Sequence, residues 1–362
     1  MVSGLDDVVA AETTLSDVDG VAGKLVIRGR PLAGIAGHLD FESVVTLLLE
    51  DLVPGLPQGE ALRAALGKAR LDVFSRIAPM MDQLARLDIY DAVRAGIAVL
   101  PDGIAPDDTL RLIAAPAVLT PLMLRLAAGQ RPIEPDAARR HAADCLAMLG
   151  RHGEDERLAC ALDTYLGTVC DHGLNASTFA ARVVASTRAG LTSSVLAGLG
   201  ALKGPLHGGA PGPVIAMLDA IAAEGDARVW LEREVAQGGR LMGFGHRIYR
   251  TRDPRADALK AAVRQLGVSP QAAERLAFAE KIEQTALSVL RAAKPNRVLE
   301  TNVEFYTALL LEAVGFPPEA FTCVFAMGRI VGWIAHALEQ QRTGRLIRPQ
   351  SRYIGPICAE AG

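Results

Sequence analysis

The chain has 362 residues, half of them hydrophobic and 4% aromatic, with a formal net charge of −3. That length supports a large core and is enough for one large and one small domain. Nothing in the near-neutral charge suggests a nucleic-acid surface, and an anionic ligand would have to be held by locally concentrated positive charge. Alanine and leucine outweigh β-branched and aromatic residues, which favours close-packed helices over sheet. The five cysteines (Cys145, Cys160, Cys170, Cys323 and Cys358) form no CxxC pair and are odd in number, so they read as reduced thiols of a cytoplasmic protein. The first residues, MVSGLDDVVAAETT, lack the basic start and apolar run of a signal peptide.

In chain order, residues 13–32 carry turn signals at Asp19-Gly20 and Gly23 around a β-like run from Leu25 to Arg28, which predicts a small hairpin. From Phe41 the period is helical, with Phe41, Val44, Val45 and Leu48 on one face. Helical pattern continues through 57–98, 108–129, 136–150 and 155–171, then from Ala176 to Thr187 and across 191–202, where small residues permit close helix approach. Leu112 to Gly129 is the most membrane-like stretch. It contains Pro116, Pro121 and Arg125, and is expected to be a buried helix pair broken at the prolines rather than a span. Three loops interrupt the helices, at Gly204–Pro213, Gly243–Pro254 and Lys294–Asn302. No repeat or low-complexity linker divides the chain, so a second domain would be an insertion between helices.

Those loops hold the unusual chemistry. His172, His207 and His246 each stand beside glycine, where a scaffold can aim an imidazole at a ligand. His38, His141, His152 and His336 fall on ordinary helical patterns or polar turns. Arg247, Arg250, Arg252 and Arg255 crowd beside the turn of His246, a concentration of guanidinium groups suited to carboxylate or phosphate. Arg329, Arg345 and Arg348 follow near the C-terminus. No GxxxxGK[ST] or GxSxG is present, the GxG at Gly243–Gly245 lacks a dinucleotide fold's context, and no HxxxH, HExxH or cysteine pair supports a metal site.

Taken together, HGLNASTFAARVVAST (172–187), GALKGPLHGGAPGPV (200–214), GRLMGFGHRIYRTRDPRA (239–256), TNVEFYTALLL (301–311), GRIVGWIAHALEQ (328–340) and RLIRPQSRYIGP (345–356) resemble the citrate synthase family. KLVIRGRPLAGIA and FESVVTLLL near the start look like family segments too, so the resemblance spans nearly the whole chain.

The resemblance implies a mostly α, two-domain helical fold with a minor N-terminal β-hairpin. Residues 1–208 and 318–362 would form the large domain, and 209–317 a small domain closing over the cleft. It implies a cytoplasmic homodimer that joins acetyl-CoA to oxaloacetate, with CoA as a co-substrate and no permanent cofactor, metal, nucleic acid or membrane partner. Carried onto this sequence, Glu304 is the base, His207 the donor to the thioester oxygen and His246 the group polarising the ketone. His172, Arg255, Arg329 and, across the dimer, Arg348 would hold the dicarboxylate. Leu241, Met242, Gly243, Phe244, Gly245 and Arg250 correspond to the CoA-binding segment.

One departure matters: the family's usual motif has aspartate where this chain has Glu304. The longer side chain shifts the carboxylate, and a displacement near ~1 Å can cost about 10²-fold in rate. Two other functions are compatible with these residues. One is a 2-methylcitrate synthase using propionyl-CoA, which differs by one methylene of acyl pocket, worth about 1–3 kcal/mol. The other is a catalytically weak paralogue that binds the ligands.

Overall fold

The computed structural model describes residues 5, 8–151, 156–208, 211–246, 248–266 and 270–356. His152, Gly209, Arg247 and Cys358 lie outside the described residues. Three short antiparallel strands, β1 (Ser16–Asp19), β2 (Lys24–Ile27) and β3 (Arg30–Pro31), precede an otherwise helical chain. The expected hairpin is present with Ser16 opposite Ile27, and gains a third strand through Ile27 opposite Arg30. The helices that follow are α1 (Phe41–Leu49), α2 (Gly59–Ile77), α3 (Met81–Leu84), α4 (Ile89–Ala98), α5 (Pro106–Ala127), α6 (His141–Met148), α7 (Glu156–Val169), α8 (Ala176–Ser186) and α9 (Leu191–Leu202). Then come α10 (Pro211–Glu224), α11 (Ala227–Ala236), α12 (Pro254–Leu266), α13 (Pro270–Ala293), α14 (Val303–Val314) and α15 (Phe321–Thr343).

The helical stretch 57–98 is divided into three helices, because Pro79 ends the run at a 3₁₀ turn, Ala78–Met80. Two expectations need correction. Residues 136–140 are not helical: Asp136 Oδ1 accepts the Ala138 N–H at 2.9 Å, a local turn that competes with the helical ladder, and α6 starts only at His141. The predicted break within 112–129 is absent, for α5 runs unbroken through Pro116 and Pro121. Interior prolines cost about 3 kcal/mol each. Here nearly the whole segment from Thr109 to Met123 is buried, against α2, α4, α6 and α15, and that packing overrides the local penalty.

Helix α15 is the axis of the core. Its residues from Val324 to Leu338 are almost all buried, and it packs on α5, α7, α8 and α9. Gly198 on α9 makes one of these approaches possible, since a Cβ there would lie 2.7 Å from the Trp333 ring. Both α5 and the helical stretch Pro318–Thr343 are long and apolar enough to cross a membrane, but most of each is buried inside the fold. Four cysteines, Cys145, Cys160, Cys170 and Cys323, are free thiols. Helices α12 and α14 also pack on α7, and the candidate site lies beside that junction.

Candidate active site

Asn302 organises the site's first corner. As N-cap of α14 its Oδ1 accepts the Glu304 N–H at 3.0 Å, while its Nδ2 donates to the Gly245 carbonyl at 2.8 Å. Its own N–H donates to the Gly243 carbonyl at 2.9 Å, and the Gly245 N–H donates to the Glu300 carbonyl at 2.7 Å. The 243–245 turn is thereby zipped onto 300–302. Gly243 has φ +84°, and a Cβ there would lie 2.8 Å from that of Phe305, so the turn requires glycine twice over. Leu241 and Phe244 are buried, Phe244 against the Phe305 ring at 5.4 Å. Their side chains therefore anchor the turn, and backbone is what this part of the proposed CoA segment offers. Met242 is half-buried and Arg250 is exposed.

The turn delivers His246. Its Nδ1 accepts the backbone N–H groups of Ile248 and Tyr249 at 3.0 and 3.1 Å, which puts the ring proton on Nε2. Nε2 lies 3.3 Å from Nη2 of Arg255. Two donors so placed require an acceptor that both can share, and a ligand oxygen between them would supply it. Arg255, only 4% exposed, is held by Asp253, whose carboxylate accepts from Nε at 3.0 Å and Nη2 at 2.8 Å. Asp253 also accepts the Val303 N–H at 3.2 Å, tying the starts of α12 and α14 together.

His172 is buried beside this pair, with Nε2 3.1 Å from the Tyr249 hydroxyl and its ring edge-on to His246 at 5.8 Å. Burial, then the charges of Arg255 and Arg329, push its pKa far down. The same causes bring His207 to about 4, and burial with Arg255 brings His246 to about 4. All three imidazoles are therefore neutral at pH 7.

His207 is fixed through Ser177. Trp333 Nε1 can only donate, and does so to Ser177 Oγ at 3.1 Å. Asn175 Oδ1, which lies 2.8 Å from the same hydroxyl, already accepts the backbone N–H groups of Ser177 and Thr178. The serine proton is thus best given to His207 Nε2, 2.7 Å away, which leaves the histidine's own proton on Nδ1.

Arg329, on α15, is 1% exposed. Its Nε donates to the Val169 carbonyl at 2.6 Å and its guanidinium lies over the Phe325 ring at 4.9 Å, but among the described residues it has no salt bridge. Burial, against the pull of Asp171 and with repulsion from Arg255, lowers its pKa to about 10, so it stays charged. Glu304 completes the group. Among the described residues its carboxyl accepts no hydrogen bond, and burial raises it to about 7 against the pull of Arg255 and Arg240.

Of the residues singled out in the sequence, His172, His246 and Arg255 are thus brought together directly, and His207, Arg329 and Glu304 share their electrostatic environment. Arg348 is not brought in: it is exposed on the irregular segment after α15. Sequence reading missed three contributors. Tyr249 wedges between His172 and His246, Asp253 holds Arg255, and Ser177 orients His207. The first two stood inside the arginine-rich segment but were masked by its charge. Nothing in the sequence around Ser177 distinguishes it from a helix N-terminal serine.

Comparison with known proteins bears directly on this geometry. Residues 4–350 match the family model described as citrate synthase, C-terminal domain. A candidate citrate synthase 2 of Mycobacterium tuberculosis is 38% identical, covering 98% of this chain and 93% of that protein. The citrate synthase of Haloferax volcanii is 34% identical over 97% and 95%, and a 2-methylcitrate synthase of Mycobacterium tuberculosis is 32% identical over 97% and 90%. Among solved structures, the citrate synthase of Thermotoga maritima superposes with a TM-score of 0.83 at 30% identity, covering 99% of this chain and 98% of that one. That of Thermoplasma acidophilum, a ternary complex with carboxymethyl coenzyme A and oxaloacetate, gives 0.86 at 27% identity over 98% and 96%. A helical fold matched end to end, with a family model spanning nearly the whole chain, leaves one assignment: the protein belongs to the citrate synthase family and is an acyl-transferring enzyme of that type.

Proposed function

We propose that the enzyme condenses acetyl-CoA with oxaloacetate and water to give citrate and free CoA. The observation that carries this reading is Arg329. A guanidinium buried with no salt bridge among the described residues is costly unless a ligand supplies the negative charge. Beside Arg255 and neutral His172, it suits a small dicarboxylate. In the dimer that the family likeness suggests, Arg348 from the other subunit would complete the clamp.

Glu304 takes a proton from the acyl carbon, and His207 donates from Nδ1 to the thioester oxygen as the enolate forms. The enolate carbon attacks the ketone of oxaloacetate, while His246 donates from Nε2 to the oxygen that becomes the hydroxyl. Water then cleaves the thioester and CoA leaves as the thiol. A neutral imidazole suits both donor roles, because it can stabilise developing negative charge in a site already crowded with arginine. We assign the CoA moiety to the 241–245 turn and Arg250, and closure over it to residues 209–317.

The test is thiol release on mixing enzyme with oxaloacetate and either acetyl-CoA or propionyl-CoA, against a control without oxaloacetate. Oxaloacetate-dependent release supports the reading, and its absence with both ligands bound removes it in favour of a binding protein. The 2-methylcitrate synthase relative gives a second reading some weight. A kcat/KM for propionyl-CoA above that for acetyl-CoA would make that the function.

The donor assignment for His207 predicts a specific defect in Ser177→Ala. Without the hydroxyl, the Nδ1 tautomer is no longer enforced, so kcat should fall about tenfold, or roughly 1.4 kcal/mol, with the KM for oxaloacetate nearly unchanged. The stranded Trp333 N–H should cost a further ~1–3 kcal/mol of stability. Steady-state kinetics and urea unfolding separate the two effects.

A further inference from the structure

We infer that the N-terminal hairpin is a brace for the active site and that Gly20, at its turn, is a positioning residue. The inference rests on reading His172 and the 246–255 segment as the site. These two stretches are far apart in sequence, and the hairpin touches both. On one side, Ser16 of β1 donates its hydroxyl to Asp171 and accepts the Gly173 N–H at 3.0 Å, so it holds the residues on either side of His172. Asp171 is anchored in turn by His336 Nε2 at 3.2 Å, and α15 thereby backs this arm.

On the other side, the turn between β1 and β2 lies against residues 248–251. The Gly20 carbonyl accepts the Arg250 N–H at 2.8 Å. A Cβ on Gly20 would lie 2.4 Å from the Ile248 carbonyl oxygen, where ordinary contact begins at 3.4 Å. Gly23, at φ +64°, makes a similar approach, 2.6 Å from Thr251 Oγ1. Only glycine lets the turn lie this close. Ile248 and Tyr249 supply the N–H groups that orient His246, and the Tyr249 hydroxyl faces His172. The turn therefore clamps the peptides that set the His246 tautomer and ring direction. Leu25 and Ile27 of β2 are buried in the core, so the strut between the two loops is itself anchored.

The test is Gly20→Ala, with Gly34→Ala as control because a Cβ at Gly34 meets nothing within 4 Å. The added methyl must push the 248–250 backbone away by about 1 Å, a misplacement of the kind that costs about 10²-fold in rate. Two readouts are compared with wild type. Hydrogen exchange of the Arg250 amide, measured without substrate, should quicken at least about tenfold as its bond to Gly20 is lost. Turnover should fall about 10²-fold, chiefly in kcat, while Gly34→Ala matches wild type in both. Unchanged exchange overturns the brace. Faster exchange with wild-type kinetics overturns the positioning role.

The exchange readout needs no activity, so an inactive wild type would count against the synthase reading and leave the brace to be judged on its own. Should Gly20→Ala fail to fold, Ser16→Ala tests the other arm, with faster exchange at Gly173 and a raised KM for oxaloacetate expected. Wild-type values there would overturn the inference.

Discussion

Glu304→Ala is expected to lower kcat by 10²–10⁴-fold, about 3–5 kcal/mol of barrier, while oxaloacetate affinity stays within a few-fold of wild type. Few other groups at this site can act as the base: the three histidines are neutral but sit among arginine charges that oppose their protonation. Glu304 is held at the first turn of α14 by the Asn302 cap, with its carboxyl free of hydrogen bonds among the described residues and a pKa near 7. A base with that proton affinity is ionised often enough at neutral pH and still strong enough to abstract a carbon-bound proton. Thiol-release kinetics give kcat and calorimetric titration gives the oxaloacetate Kd. Wild-type turnover in the variant would remove Glu304 from the mechanism.

The same group has a signature in pH. As the ionised form is the active one, kcat/KM for the acyl-CoA should rise with pH and level off above about 7. Stability should run the other way. A carboxyl whose folded pKa is raised from 4.5 to about 7 contributes stability that is fully present below the lower value and lost as pH rises through the upper one. Glu304→Gln should therefore stabilise the protein against urea at pH 8 and have little effect at pH 5. Equal effects at both values would mean that the carboxyl is not held up by burial.

The helical class, the hairpin and the three chemistry-bearing loops were legible because each rests on local signals: Ala/Leu-rich periodicity, Asp19-Gly20 and Gly23, and histidines flanked by glycine. What escaped depends on contacts distant in sequence. Pro116 and Pro121 read as breakers, but α2, α4 and α15 bury α5 on several sides and outweigh the penalty, which no window of α5 alone reveals. The role of Ser177 is set by Trp333, 156 positions away. The arginine-rich segment divided in a way its composition concealed: Arg252 pairs with Asp257 and Glu283, Arg255 faces the site, and Arg250 stays exposed. Chemistry-bearing residue types were thus visible early, but their partners were not.

Arg255 carries the last large effect, because it is both a proposed ligand clamp and half of a buried ion pair with Asp253. Arg255→Ala should weaken oxaloacetate binding by about 10–100-fold, the worth of a charge-assisted hydrogen bond to a carboxylate, about 1.5–3 kcal/mol. It should also destabilise the fold by about 3–5 kcal/mol, since it strands the Asp253 carboxylate in the interior with only backbone donors. The two losses have different origins and can be separated. In Asp253→Asn/Arg255→Ala the stranded charge is gone while an acceptor remains near the Arg255 and Val303 positions, so much of the stability should return. Affinity should not return, because the dicarboxylate still lacks its cation. Urea unfolding and calorimetric titration of both variants decide the matter. If the single variant is unstable yet binds oxaloacetate as wild type does, Arg255 serves only to neutralise Asp253, and the clamp must be built from Arg329 and the other subunit alone.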